Sequence, residues 1–417
     1  MLKSIKFLHH ERPYRRLFIS SFISGIGDWF NNVAVLSLIL ILTGSGLAVG
    51  ITLALRVLPY LVFGPLGGIV ADRISRKIIL VTIDLTRAVL ALFFLLVNSK
   101  DQIWIVYAST FGLVILSAFY IPARAASIPT LVRKENLLTA NALDQTLFGI
   151  VMIIGSVSGA FVTAIWGLQF AFIFNSVSFL VSALLIMGIS FPRIGSTSDK
   201  PSYKEQTKSL LSLYRQSRLL RAIIVLSALW PLGGGIINVL LSVYSFQVFN
   251  MGQQGVGIFY GSLGLGFVIG GLLADYFSQN LKKVAAAGFV IEGIAHTIVS
   301  VSPYFFLASL MMFLGAVGAS IGLASTNTLV MKAVKTDQQG KVFGTFATLR
   351  NSLLGISMFV AGLLLEWMEP RVLGFLGGIL ITLVGAGVAI LWFHRDIKGP
   401  SAAEGGPLTH QTKQRND

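Results

Sequence analysis

The chain has 417 residues, 54% of them hydrophobic and only 12% charged, with a formal net charge of +15 and no cysteine. Soluble domains carry about 25% charged residues, and no soluble core hides this much apolar surface; a disulfide framework, a thiolate metal site and a cysteine nucleophile are excluded outright. The positive charge does not make the chain a nucleic-acid binder, because its basic residues are strewn between apolar segments rather than gathered on one soluble face.

In chain order, the apolar runs predict twelve membrane helices near 17–42, 47–71, 78–98, 103–123, 141–165, 168–191, 219–248, 254–276, 283–301, 304–331, 341–366 and 371–394. Each is near or above the ~20 residues that cross a bilayer core. Lys3, Lys6, Arg12, Arg15 and Arg16 precede the first run in the manner of a secretory signal. That run is too long for a signal's apolar region and lacks a small-x-small cleavage site, so it reads as the first membrane helix. With the N-terminus placed inside, the cytoplasmic segments hold 27 of the 32 Lys and Arg, and the opposite side holds two, Lys100 and Arg371. The positive-inside rule then puts both termini in the cytoplasm. The remaining three, Arg56, Arg87 and Arg350, fall within helices.

The polar stretch 192–218 divides six helices from six, giving an N-terminal bundle over 1–191, a cytoplasmic linker and a C-terminal bundle over 219–396. Leu210, Leu211, Leu213 and Tyr214 lie among basic residues in that linker. They fit either an amphipathic helix on the inner leaflet or a solvated connection. The polar tail 397–417 is expected to be disordered. The two bundles share sequence. Gly67-Gly68-Ile69-Val70-Ala71-Asp72 aligns with Gly270-Gly271-Leu272-Leu273-Ala274-Asp275 at an offset of 203, and Ala126–Val132 matches Ala324–Val330 at five of seven positions at an offset of 198. Both pairs sit at equivalent places in the helix count, the pattern of a duplicated transporter with its substrate site between the halves.

The run around Asp72 carries the sharpest chemistry. Gly64, Gly67 and Gly68 allow a close approach between helices, Asp72 can accept from backbone donors or pair with a base, and Arg73, Arg76 and Lys77 hold the loop at an anionic surface. Such an interaction is breakable, as a gate requires. Gly68-Ile69-Val70-Ala71-Asp72-Arg73-Ile74-Ser75-Arg76-Lys77 resembles the signature of the major facilitator superfamily, Gly-x-Leu-Ala-Asp-Arg-x-Gly-Arg-Lys, with Val70 for Leu and Ser75 for the second Gly. Ser24-Gly25-Ile26-Gly27-Asp28-Trp29, Asp84-x-x-Arg87, and Pro122-Ala123-Arg124 leading through Ile128-Pro129 to Ala140-Asn141-Ala142-Leu143 look like its bacterial subfamily of macrolide efflux pumps and the enterobactin exporter. The resemblance implies an all-α membrane protein with twelve transmembrane helices in two pseudo-symmetric six-helix bundles. It also implies export of a small amphipathic molecule from a bacterial cytoplasm, generally driven by protons. The partners it implies are the substrate, protons and membrane lipid, with no nucleic acid; a monomer is expected, without cofactor or metal. Two departures stand out. Gly155-Ser156-Val157-Ser158-Gly159-Ala160 lacks the proline of the Gly-Pro-x-x-Gly-Gly motif in the superfamily's drug/proton antiporters, and no arginine lies between Trp104 and Tyr120. Proton coupling by that arrangement is therefore not carried over.

Charges inside the membrane cost roughly 2.5–3.5 kcal/mol each and need a partner or a water-filled cavity. Asp28 lies about 16 Å along helix one from the inner face at 1.5 Å per residue, and Arg56 and Arg350 fall at similar mid-depth. The resembled fold lines its central cavity with helices one, two and eleven, so Asp28 is expected between Arg56 and Arg350, as a proton-exchanging group or as a fixed ion pair. Asn31, Asn32, Asn238 and Asn327 could add hydrogen bonds to the cavity or bridge helices. Asp84 and Arg87 are expected to join Asp72, Arg124 and the repeat's Asp275 in the cytoplasmic gate, which makes Arg87 structural. Glu292 and His296, four apart on one helix face, could form a proton relay; a neutral Glu–His hydrogen bond at a peripheral helix is the plainer expectation. Asp144 and Glu366, near helix ends, receive no role.

A membrane enzyme would need a nucleophile with an aligned base or a metal cluster; four of the five histidines lie near the ends, at 9, 10, 394 and 410. A channel accounts poorly for a duplicated chain with a gate. A lysophospholipid flippase of the same superfamily, which shares the helix-one and gate residues, is the alternative to an exporter.

Overall fold

The computed structural model describes residues 8, 10–133, 136–191, 217–334 and 336–393. The tail 397–417 and nearly all of the linker 192–218, its Leu210, Leu211, Leu213 and Tyr214 included, lie outside them, as do the side chains of Asp72, Arg73 and Asp275.

Among the described residues, twelve helices are long and apolar enough to cross a membrane. They are α1 (Arg12–Thr43), α2 (Gly46–Leu55, resuming at Pro59–Arg73), α3 (Arg76–Phe93), α4 (Ile103–Leu131), α5 (Leu137–Trp166), α6 (Leu168–Met187), α7 (Arg218–Val243), α8 (Gly252–Leu273), α9 (Leu281–Val301), α10 (Phe305–Ala333), α11 (Thr336–Leu364) and α12 (Pro370–Phe393). Among the described residues no strand is present. Local chemistry sets several ends. α1 begins with a proline in its first turn and stops where Gly44 turns left-handed (φ 61°), its N–H closing on Leu40 O at 2.9 Å; only glycine takes that conformation at no cost. Ser45 then caps α2 by accepting from the Ala48 N–H. The sequence predicts an unbroken helix two, but α2 loosens into a turn over residues 56–58. Pro59 has no N–H to give the carbonyl one turn back, and Arg56 sits at that break.

The two halves repeat each other in packing as well as in sequence. In the first, α1 packs on α5 and α6, α3 on α4 and α6, and α2 on α4. In the second, α7 packs on α11 and α12, α9 on α10 and α12, and α8 on α10. Adding six to each helix number in the first half gives the second. The halves meet through α5 against α8 and through the first part of α2 against α11, again a symmetric exchange.

Small residues make those seams. Gly257 faces Ala160 and Ser156, Gly261 faces Val157, and Gly50 lies against Gly362 and Met358 O; without side chains between them the backbones approach closely. The seam is closed at only one end. At the end where α1 finishes, a single apolar core joins both halves, with Val33, Leu36 and Phe172 contiguous with Leu240, Phe259 and Ile381. At the end where α1 begins, the core is split in two, one cluster around Tyr14, Leu80 and Ile186 and another around Leu220, Phe289 and Val342. On α11, Gly355 lies against Leu58 of α2, whereas a side chain at Gly64, Gly68 or Gly344 would meet nothing within 4 Å. The bundle is therefore a V, closed at one end and open at the end that carries most of the basic residues.

Candidate functional site

The cleft of the V holds a pocket in each half, at symmetry-related places. The first, of about 310 Å³, is lined from α1 to α5. Gly27 presses against Ser178 and Asn175 of α6, where any side chain would collide. That tight packing turns the next residue, Asp28, toward the opposite face of α1, where it lines the pocket with Tyr60, Arg87, Tyr120, Arg124 and Asp144. Asp28 is exposed to the cleft although it stands at mid-depth of a membrane helix.

Around it lies a bonded network. Arg124 grips Asp144 with two parallel bonds, Nη1 to Oδ2 at 2.7 Å and Nη2 to Oδ1 at 2.9 Å, and its Nε donates to Ser21 Oγ at 2.6 Å. Tyr14 adds a bond from its hydroxyl to Asp144 Oδ1 at 3.1 Å. A bidentate, charge-assisted pair of this kind is roughly twice as strong as a hydrogen bond between neutral groups. Arg87 donates to Ser117, stands 3.7 Å from Asp84, and lies over the Tyr120 ring at 4.5 Å. Asp84 in turn accepts from Ser182 at 2.6 Å. Arg124 therefore pairs with Asp144 rather than with the expected Asp84 and Arg87, which form a second unit. Asp144, which the sequence left without a role, is a central acceptor.

Asp28 has no ion pair within 4 Å among the described residues. The cations that act on it are Arg87 and Arg56, and Arg56 has Tyr260 and Tyr60 beside it. Tyr260 meets the Trp29 ring edge-on at 5.4 Å, roofing the cleft between the two halves. Arg350 does not share this pocket. The expected sandwich of Asp28 between two guanidinium groups is thus replaced by a single nearby wall, because α11 belongs to the half that swings away at the open end.

Arg350 lines the second pocket, of about 260 Å³, between α7, α9, α10 and α11. Asn327 joins it there, with Trp230, Phe289, Phe343 and Phe346 as walls. Glu292 and His296 are both buried behind that wall. Glu292 accepts from Trp230 Nε1 at 2.8 Å, and His296 Nδ1 is unbonded; the expected Glu–His hydrogen bond is absent because the indole takes the carboxylate. Asn238 donates to Gly234 O of its own helix at 3.1 Å and bridges nothing, and the buried side-chain carbonyls of Asn31 and Asn32 accept no bond.

In the gate motif only one of the three glycines performs the expected packing. Gly67 lies against Ala118 O of α4, the carbonyl that Pro122 leaves without a helical donor; at Gly64 and Gly68 a side chain would meet nothing within 4 Å. Its partner in the repeat, Gly270, lies against Val317 O and Ser320 of α10. Arg76 reaches Thr130 at 3.5 Å, Lys77 is half-buried, and the expected partners Asp72, Arg73 and Asp275 fall outside the described side chains.

The family profile described as Major Facilitator Superfamily matches residues 17–357. Macrolide efflux protein A of Streptococcus pyogenes is 25% identical over 350 residues, covering 82% of this chain and 86% of that protein. The putative bacilysin exporter BacE of Bacillus subtilis is 22% identical over 356 residues, covering 84% and 86%. Among solved structures, a bacterial homolog of the human lysosomal transporter Spinster, inward-facing and unoccupied, superposes with a TM-score of 0.73 over 91% of this chain and 96% of that one, at 13% identity.

Proposed function

Because the chain belongs to the Major Facilitator Superfamily, and is a multi-pass membrane transporter rather than an enzyme, we propose that it exports a small amphipathic molecule from the cytoplasm by alternating access in exchange for protons. The observation that carries this is the V-shaped cleft with an exposed carboxylate, Asp28, at mid-depth. The open end carries the basic residues, which the positive-inside rule assigns to the cytoplasm of a bacterial inner membrane. Substrate therefore loads from inside, and the relatives named for efflux and export support the outward direction. A cationic group on the substrate and a proton compete for Asp28: protonation from the far side releases the substrate, and loss of the proton to the cytoplasm restores the site. Competition at one carboxylate is the simplest linkage that makes exchange obligatory.

The test compares secreted metabolites and susceptibility to macrolides, dyes and siderophore-type compounds in a deletion strain, an overexpressing strain and a strain expressing Asp28→Asn. The wild-type gene shifts at least one compound outward, and Asp28→Asn, present at equal level in the membrane, shifts none. No change with any compound removes the exporter, and full activity of Asp28→Asn removes the exchange at that residue.

A further inference from the structure

The second pocket holds a cation with nothing to hold it. Arg350 lies in a membrane helix, half-buried, and among the described residues it makes no hydrogen bond and no ion pair. Among the described residues no Asp or Glu lines the pocket. The buried acid of this half, Glu292, does not line the pocket and is engaged by Trp230 Nε1. An unpaired guanidinium at this depth is costly, and a cavity that keeps one is built to receive an anion.

We infer that this pocket is the subsite for a carboxylate on the transported molecule, with an aromatic or branched apolar group beside the acid. A planar guanidinium fork matches a carboxylate with two parallel bonds. Asn327, which lines the same pocket and makes no side-chain hydrogen bond among the described residues, supplies a further donor. Trp230 and Phe289, 6.1 Å apart at 60°, with Phe343 and Phe346, form a slot for a flat or branched body. Because Trp230 spends its N–H on Glu292, it offers the pocket an indole face and no competing donor. The volume of about 260 Å³ falls below the roughly 300–1,000 Å³ of a whole small-molecule site, so the pocket holds one end of a molecule whose other end reaches the first half. Resting on the exchange at Asp28 proposed above, the transported class is a zwitterionic amphiphile: amine toward Asp28, acid on Arg350.

The experiment uses the purified full chain in lipid nanodiscs, with calorimetric titration of two probes, L-phenylalanyl-L-phenylalanine and its C-terminal amide, which differ in the acid alone. The acid form binds at least tenfold more tightly than the amide. Arg350→Gln removes that preference while Arg350→Lys retains part of it, and Asp28→Asn weakens both probes alike. Equal binding of acid and amide to the wild-type protein overturns the subsite without any variant having to fold, as does a preference that persists in Arg350→Gln, or no binding of either probe. A preference for the acid in a strain set that exports nothing sinks the exporter and leaves the subsite standing; export without the preference does the reverse.

Discussion

The two pockets occupy equivalent positions in a duplicated fold, and they have opposite electrostatic characters. In the first half two internal pairs are engaged, Arg124 with Asp144 and Arg87 with Ser117 and Asp84, while Asp28 and Arg56 face each other without a direct bond among the described residues. In the second, Arg350 stands alone against an aromatic wall and the buried acid Glu292 is held by an indole. Helix pairing survived duplication because it depends on backbone approach at small residues, which constrains both copies. Polar side chains in the cleft are free of that constraint, so one half became a charged network and the other a receptor for a single anionic group.

Breaking the Arg124–Asp144 pair is the severest test of the contrast. Arg124→Gln or Asp144→Asn leaves a charge without its partner, a loss of about 3 kcal/mol at the lower end of the buried-pair range because both groups keep some exposure. Thermal unfolding in detergent measures it, and the double variant recovers part of the loss. Arg350→Gln, which breaks no bond inside the protein, leaves the melting temperature within about a degree of wild type. Equal losses in the two halves would mean that Arg350 has a partner in the folded protein and that the contrast is false.

The glycines test the shared part of the architecture. Gly67→Val and Gly270→Val each drive a branched side chain into a backbone carbonyl, Ala118 O or Val317 O, and overpacking of that kind costs about 1–3 kcal/mol. Both lower the yield of folded protein to a similar degree. Gly68→Val, beside the first of them, meets nothing within 4 Å and folds normally. A large loss in one half alone would show that the helix pairs are not equivalent.

The fold was legible because each span advertises itself by length and hydropathy, and the duplication by two short matches at nearly one offset. The site was legible only in part. Asp28, Arg56 and Arg350 stand out as charges in apolar runs, which is a local signal. Their distribution is not local. Whether α11 lies beside α1 at the depth of Arg350 depends on how far the V is open, and no pattern along the chain encodes that angle. Asp144 was passed over because its partners Arg124 and Tyr14 lie 20 and 130 residues away, although an acid in an apolar stretch was itself a sign. The Trp230–Glu292 bond, spanning 62 residues, was hidden for the same reason, while the nearer His296, four residues along the same helix, suggested a pair that the indole pre-empts.

That bond yields the smallest and most discriminating effect. Glu292→Gln keeps a side-chain carbonyl where the carboxylate oxygen accepts from Trp230 Nε1, so packing is conserved and the stability change stays below about 1 kcal/mol, the scale of one net hydrogen bond. Glu292→Leu leaves the indole N–H buried without an acceptor, which costs about 1–3 kcal/mol and loosens the wall of the second pocket. If Glu292 and His296 relayed protons, Glu292→Gln would stop proton-driven transport while leaving the melting temperature untouched. If the carboxylate serves only to hold Trp230, Glu292→Gln transports at nearly the wild-type rate across the pH range, and Glu292→Leu weakens binding of the dipeptide acid. Proton uptake followed with a pH-sensitive dye in everted vesicles separates the two, because Asp28→Asn abolishes the signal in both cases and Glu292→Gln abolishes it in one. A silent Glu292→Gln would confine proton exchange to the first half and leave the second to recognition.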